Sequence, residues 1–224
     1  MKKYLPILEK LSLFAGIPPE EILPLCRTFG CYTRRYGAGE PLWLRGDRVC
    51  AAGIVLSGCV QAERNEPDGT QRIVARHGAG ALFGDVLMSS QMQRSPVDIA
   101  SCAETTVLFL PLADIMRDAV GGVSAAQVQF RLNLLSEISD KYWTLYQRIA
   151  CLSEPTLRGR LTRYLRTLRD ETGSDTVQLP PTREMMAAEL CVNRSAMCRE
   201  LGRMQREGLI ALSRRECILL RLAE

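Results

Sequence analysis

Val128, Leu135, Tyr142 and Ile149 recur every seven residues, and Ile138, Leu145 and Leu152 fill the interleaved places, giving 3-4-3-4 spacing from Leu135 to Leu152. An α-helix turns once per about 3.6 residues, so this spacing draws one narrow apolar stripe along one long helix. No proline interrupts it before Pro155. A stripe that narrow suits pairing with a second helix, and a second copy of the chain is the expected partner. A helix lying on its own neighbouring domain is the alternative. Arg131 occupies an interior position upstream, which predicts looser pairing there.

The stripe separates two textures. From residue 30 to 110 the chain breaks into brief apolar runs set apart by glycines: GAGE at 37–40, RGD at 45–47, SG at 57–58, PDG at 67–69 and GAG at 78–80. Gly53–Leu56, Arg72–Ala75 and Thr106–Leu110 are strand-length runs rich in β-branched or large apolar residues. Short strands at close turn spacings predict an antiparallel sandwich or barrel. Beyond the stripe the texture is helical. Leu157, Leu161, Leu165 and Leu168 share a face of an amphipathic helix predicted over 155–171, with Gly173 placed to cap its end. Val177–Leu179, Pro180 and Pro181 follow, and Thr182 is a natural N-cap for a helix over 183–190.

In "CVNRSAMCRELGRMQREGLI", residues 191–210, helical spacing groups Arg194, Ser195, Cys198 and Arg199 on one face and Met197, Leu201 and Met204 on another. Asn193 can cap this second helix after a short turn at 191–193, and Ala187 and Leu190 are placed to share a small core with Met197 and Leu201. After Gly208, residues 209–210 and 217–220 read as two strands around a turn at 213–216. Helix, turn, helix and wing is the arrangement that offers the start of a second helix to the DNA major groove.

Charge agrees with that direction. The net charge is only +4, but 25 arginines stand against 4 lysines, and from Cys151 onward 13 arginines and 10 acidic residues leave +3. Arginine suits bidentate recognition of phosphate and guanine edges. The longest uncharged runs, 49–62 and 119–130, fall short of the roughly 20 apolar residues of a membrane span. Glu9 and Lys10 interrupt the apolar run that a signal peptide would need, so a cytoplasmic protein without membrane contact is expected. Nine cysteines without a C-x-x-C pair do not form a disulfide framework, and most are expected to be buried small apolar residues. No nucleophile motif, Walker loop or metal-spaced His/Asp set appears, and one histidine leaves little acid–base chemistry, so an enzyme is not expected.

The stretch "TREMMAAELCVNRSAMCRELGRMQREGLI", together with "GAGEPLWLRGD", "GIVLSGCVQ" and "HGAGALFGDVLMSSQMQRSPVDIAS", resembles the CRP/FNR family of bacterial transcription regulators over nearly the whole chain. The resemblance implies an α+β architecture: a jelly-roll-like antiparallel β-roll sensor at 1–120, a dimerisation helix at 121–152, and a winged helix-turn-helix at 153–224. It implies a homodimer joined through Leu135, Ile138, Tyr142, Leu145, Ile149 and Leu152, bound to a near-palindromic double-stranded operator, with RNA polymerase as a further partner. Arg199 matches the family's guanine-reading arginine, and Arg194 and Ser195 lie where members touch bases or backbone. Many members carry glutamate at the Ser195 position, so the half-site should differ from the best-known ones. Cys198 replaces a common serine and either makes a weak contact or is tolerated. Thr182, Arg203 and Arg206 are expected beside phosphates, with a solvated face the equal alternative for Arg206.

In nucleotide-binding members an F-G-E element and a following arginine hold the ribose and the cyclic phosphate. Here Phe83, Gly84 and Asp85 stand at the first part and Arg94 with Ser95 at the second. Aspartate is one methylene shorter, and the interval to Arg94 is one residue short of the cyclic AMP receptor's, so the small-molecule effector is left unidentified with a cyclic nucleotide as one candidate. Neither an iron–sulfur cluster nor haem is expected, and no metal site is assigned: no four-thiolate pattern appears, and His77, the one imidazole, falls in the turn "ARHGAG". Two alternatives stay open. One is a thiol-redox-responsive regulator of the same fold using Cys191 and Cys198. The other is a ligand-binding module that does not act on DNA.

Overall fold

The computed structural model describes residues 1–65, 71–85, 93–117 and 123–222. The turn expected at 67–69, the first residues of the expected dimerisation segment (121–122), and 86–92 of the quoted roll stretch lie outside the described residues. The chain divides into two compact units, Met1–Ser139 and Asp140–Glu224.

The first unit opens with 3-10 turns at Lys2–Tyr4 and Ser12–Phe14 and helices α1 (Leu5–Leu8) and α2 (Pro19–Thr28). Eight strands follow: β1 (Tyr32–Tyr36), β2 (Pro41–Trp43), β3 (Ala52–Ser57), β4 (Cys59–Asn65), β5 (Gln71–Gly78), β6 (Leu82–Phe83), β7 (Asp98–Ser101) and β8 (Thr105–Leu110). They form two four-stranded antiparallel sheets, ordered β1-β8-β3-β6 and β2-β7-β4-β5. The two continuous apolar runs are the central strands β3 and β8 of the first sheet. Ile54, Leu56, Leu108 and Leu110 pack toward α1, α2, Phe130 and Leu134. Val55, Val107 and Phe109, with Phe83 of β6, face Val60, Ala62 and Ile99 of the second sheet. A strand buried on both faces reads as an unbroken hydrophobic run, which is why these two were legible. β4 has one face on the core, so its burial alternates.

α3 (Leu112–Arg117) leads to α4 (Ala125–Leu152), the long helix of the seven-residue repeat. Arg131, read as an intruder in the stripe, turns its Nε to the Ile115 carbonyl at 3.0 Å.

The second unit holds α5 (Leu157–Thr172), β9 (Thr176–Gln178), α6 (Arg183–Glu189), α7 (Arg194–Arg206), β10 (Ile210–Leu212) and β11 (Glu216–Leu219), with the strands ordered β10-β11-β9. α5 begins later than the sequence suggests because Thr156 is extended and its hydroxyl accepts from Gly159 N; Gly173, at φ +64°, closes the helix as expected. Leu161, Leu165, Ala187, Leu190, Met197, Leu201 and Met204 meet in one core with Val177, Ile210 and Cys217. Thus the architecture is α+β: an N-terminal β-roll, a long helix and a winged helix-turn-helix.

Two expectations are corrected. His77 lies within β5, paired with Val60 and stacked on Phe83 at 5.8 Å, rather than in a turn. Only Cys26, Cys151 and Cys217 are buried; Cys31 and Cys59 are half-buried, and Cys50, Cys102, Cys191 and Cys198 are exposed. Of the two strand-borne cysteines, alternation along the sheet turns Cys217 to the core and Cys59 away from it.

Among the described residues no helix is long and apolar enough to cross a membrane.

Candidate functional site

α6 and α7 are joined by a turn in which Cys191 adopts a left-handed backbone, φ +53°. Thr182 caps α6 by accepting from Met185 N at 3.2 Å. Asn193 caps α7, its Oδ1 accepting from Ser195 N at 2.9 Å and Ala196 N at 3.2 Å. Both caps leave the following helix start preorganised.

The two faces of α7 separate as the spacing requires. Met197, Leu201 and Met204 are buried in the unit's core, while Arg194, Ser195, Cys198, Arg199, Arg203 and Arg206 are exposed together. Arg194 is tethered to the previous helix, Nε to Glu184 Oε1 at 2.8 Å. Arg203 pairs with Glu200 at 3.3 Å. Among the described residues Arg199 has neither an ion-pair nor a hydrogen-bond partner, so its guanidinium fork is open to solvent.

The arginines of α5 are otherwise engaged. Arg158 joins Glu200 and Glu207, Arg160 donates to the Glu154 carbonyl at 3.0 Å, Arg163 pairs with Glu154 at 3.4 Å, and Arg166 donates to the Leu222 carbonyl at 2.7 Å. Within the second unit the unengaged, exposed arginines therefore lie mainly on α7 and the wing. Sequence reasoning passed over Arg214 and Arg215, both exposed in the turn between β10 and β11, where Ser213 N bonds to Glu216 O at 2.9 Å. Their signal was a dibasic pair at a hairpin tip.

In the roll, Phe83 is buried beneath Trp43, ring centroids 5.3 Å apart. Gly84 stands at φ +75°, and a Cβ there would sit 2.8 Å from the Trp43 ring, so this close approach requires glycine. Asp85 is buried. Arg94 is exposed and donates from Nη1 to the Gly46 carbonyl at 2.8 Å, beside Arg48 across an isolated bridge. Ser95 is buried, and its hydroxyl goes to the Val97 carbonyl at 2.6 Å. The Arg94 guanidinium is thus exposed with one nitrogen engaged by the backbone, whereas Ser95 has no hydroxyl proton to spare. Phe83 belongs to the core rather than to a ligand wall. Arg48 is a second cation here that the sequence reading did not single out.

Along α4, Leu135, Tyr142, Leu145 and Ile149 are exposed, as are Val128, Leu132, Trp143 and Tyr146. Ile138 instead packs against the first unit's core, and Leu152 is half-buried. Cys191 and Cys198 are both exposed and are not within hydrogen-bond reach of each other; Cys191 Sγ approaches the Ala188 carbonyl at 3.7 Å. Among the described residues no three His, Cys, Asp or Glu side chains gather as a metal site.

Residues 33–117 match the family model of the cyclic nucleotide-binding domain, and residues 159–224 that of the Crp-like helix-turn-helix domain. The chain is 33% identical over 167 residues to a probable transcriptional regulator, flp, of Lacticaseibacillus casei, covering 75% of this chain and 74% of that protein. It is 34% identical over 88 residues to the cyclic AMP receptor protein of Thermus thermophilus, a match covering 39% of this chain and 40% of that one. The catabolite activator protein structure from the same organism superposes with a TM-score of 0.52 at 24% identity, over 95% of each chain.

Proposed function

The chain belongs to the CRP/FNR family of transcription regulators, joining a cyclic nucleotide-binding domain to a Crp-like helix-turn-helix, and from that premise we propose that it works as a homodimer reading a near-palindromic operator. The two-faced α7 carries the reading: its core face fixes the helix, its start is capped, and its exposed face gathers the groups that DNA edges and phosphates require. Arg199 is the guanine reader, its fork matching O6 and N7. Arg194 and Ser195 contact bases or backbone, and Arg194 must exchange Glu184 for DNA if it is to bond there. Thr182 and Arg203 lie along the phosphates, with Arg214 and Arg215 of the wing added to them. The exposed stripe of α4, centred on Leu135, Tyr142, Leu145 and Ile149, is the surface on which two copies join.

The effector is a small molecule whose anionic group is held by Arg94. Cyclic nucleotides are the first class to try, since the relative from Thermus thermophilus is a cyclic AMP receptor protein. When bound, such a molecule brings a phosphate negative charge, which Arg94 neutralises at the surface of the roll. An effector that prefers one state shifts the population toward that state, and through α4 resets the two reading helices.

Selection of bound duplexes from a random library tests the central claim. A two-fold symmetric consensus, read by the parent and lost in Arg199→Ala, supports it. Binding with no sequence preference removes the base-reading role of α7, and no binding at all leaves a ligand-binding module that does not act on DNA.

A further inference from the structure

Among the described residues, Cys59 and Cys102 bring their sulfurs to 3.1 Å across two neighbouring strands. β4 and β7 pair with Val60 opposite Ser101 and Gln61 opposite Ala100, so the next antiparallel pair in this register is Cys59 opposite Cys102. The backbone continues it, Cys102 N donating to the Cys59 carbonyl at 2.8 Å. Opposed residues in antiparallel strands have Cα atoms about 4.5–5.5 Å apart, within the roughly 4.4–6.8 Å that disulfides span.

The pair is held in place. Cys59 N donates to Thr105 Oγ1 at 3.1 Å, and the same hydroxyl approaches the Cys59 carbonyl at 3.0 Å. Gly58 stands at φ +83°, where a Cβ would come 2.4 Å from Thr105 Oγ1, so the backbone at Cys59 has little room to withdraw. Cys102 is exposed and Cys59 half-buried, on the face of the sheet turned away from the core. Forming an S–S bond of about 2.05 Å requires the sulfurs to close by roughly 1 Å, within reach of side-chain rotation.

We propose that Cys59 and Cys102 form a redox site of the roll, a dithiol that reduces a hydroperoxide and closes to a disulfide. Cys59 attacks the hydroperoxide as thiolate; the O–O bond breaks, an alcohol or water leaves, and Cys59 becomes a sulfenic acid. Cys102 sulfur then attacks Cys59 sulfur, and hydroxide departs as water with the Cys102 proton. Each thiol gives up one proton and one electron, and the hydroperoxide takes up two of each. Roles follow from the hydrogen bonds to Cys59 Sγ at 3.1 Å and to Gln61 Oε1 at 3.5 Å, which give the Cys102 proton two acceptors. Desolvation, then the bond to Cys59, push the Cys102 thiol up to about 11, while Arg76 pulls the other way, so Cys102 keeps its proton until the second step. The other close pair, Cys26 and Cys31, includes a sulfur sealed in the core.

The test uses the full chain, reduced, freed of reductant and exposed to stoichiometric hydrogen peroxide. Free thiols counted after denaturation should fall by two from nine. Unreduced peptide maps should join the Cys59 and Cys102 peptides with the loss of two hydrogen atoms, restored by dithiothreitol. Cys102→Ser should stop at a Cys59 sulfenic acid that dimedone traps, and the paired variant Cys191→Ser, Cys198→Ser should still lose two thiols. A disulfide joining any other pair, separate oxidation of the two sulfurs to sulfinic acids, or survival of both thiols in the folded chain overturns the proposal.

Discussion

Arg158 grips Glu207 with two parallel hydrogen bonds, Nη1 to Oε2 at 2.7 Å and Nη2 to Oε1 at 2.9 Å. Its Nε donates to Glu200 Oε1 at 2.6 Å. One guanidinium in the first turn of α5 therefore holds both the middle and the C-terminal end of α7. Glu200 is nearly buried, and Arg203 reaches its other oxygen at 3.3 Å. The planar fork of arginine fixes direction as well as charge, so this junction orients the reading helix from behind.

Arg158→Met should lower the denaturation midpoint near neutral pH, with a cost that depends on acidity. The hydrogen bonds of Arg158 hold the Glu207 carboxyl below its ordinary value. A depressed carboxyl stabilises the fold above the unfolded value of about 4.3 and loses that contribution as pH falls through its folded value. The stability gap between parent and variant should hold from neutrality down to about pH 5 and narrow below that. A gap that widens with acid would contradict the assignment; urea midpoints across pH give the answer.

Arg199→Ala should weaken operator binding by about 1–3 kcal/mol, on the order of ten- to hundred-fold, and relax the sequence preference at one position of each half-site. Arg199→Lys keeps the charge but not the fork, so the preference should relax there too. Arg214→Ala and Arg215→Ala should instead weaken all duplexes alike, each reducing the salt slope by about 1. Fluorescence anisotropy over a salt series separates the two behaviours. Loss of selectivity from the wing variants, with none from Arg199, would reverse the proposed roles.

What the sequence disclosed depended on the range of the interaction. The repeat from Leu135 to Leu152, the caps Thr182 and Asn193 and the glycine closure at Gly173 are local patterns, readable because helix geometry relates residues three or four apart. Runs 53–56 and 106–110 were visible because burial on both sheet faces leaves no polar alternation. Cys59 and Cys102 were not visible as a pair, since the register of β4 on β7 brings them together and a one-residue slip would place them on opposite faces. The Arg158 junction was hidden for the same reason: Glu200 and Glu207 reach it only through the packing of α5 on α7. Arginine count alone is weak evidence for nucleic acid, and much of the α5 share is engaged within the fold.

Asn193→Ala should cost about 1 kcal/mol of stability in the second unit, and Asn193→Gly only a few tenths, because the lost acceptor served two first-turn amides. Both variants should also weaken operator binding, since α7 begins at the groove-facing residues. Equal stability of parent and alanine variant in thermal melts would mean that the cap is replaced by water.

Cyclic AMP, titrated calorimetrically into the reduced protein, should give saturable heat that Arg94→Gln abolishes, if the roll has kept a nucleotide site. Arg48→Gln should weaken it less, since Arg48 lies beside Arg94 and not at the position matched by the family motif. Saturable heat that survives Arg94→Gln would remove Arg94 from the site. No heat at millimolar ligand would retire this nucleotide and turn the search to other small anions.

Leu145→Glu should convert a dimer of twice the 25.0 kDa chain mass into monomers in sedimentation equilibrium. Leu135 and Tyr142 are 61% and 68% exposed in the single chain, and Leu145 and Ile149 are each 56% exposed. Burying a large apolar side chain is worth about 1.5–3 kcal/mol, so this stripe repeated on two helices supplies ample drive for pairing. A glutamate at 145 would be buried near its symmetry mate without a partner, and desolvated like charges oppose closure. Asp140→Lys, away from the seam by helical spacing, changes charge just as sharply and should leave the dimer intact. Operator affinity should fall with Leu145→Glu, because one reading helix alone engages one half-site. A Leu145→Glu chain that still sediments as a dimer would place the subunit contact elsewhere than this stripe.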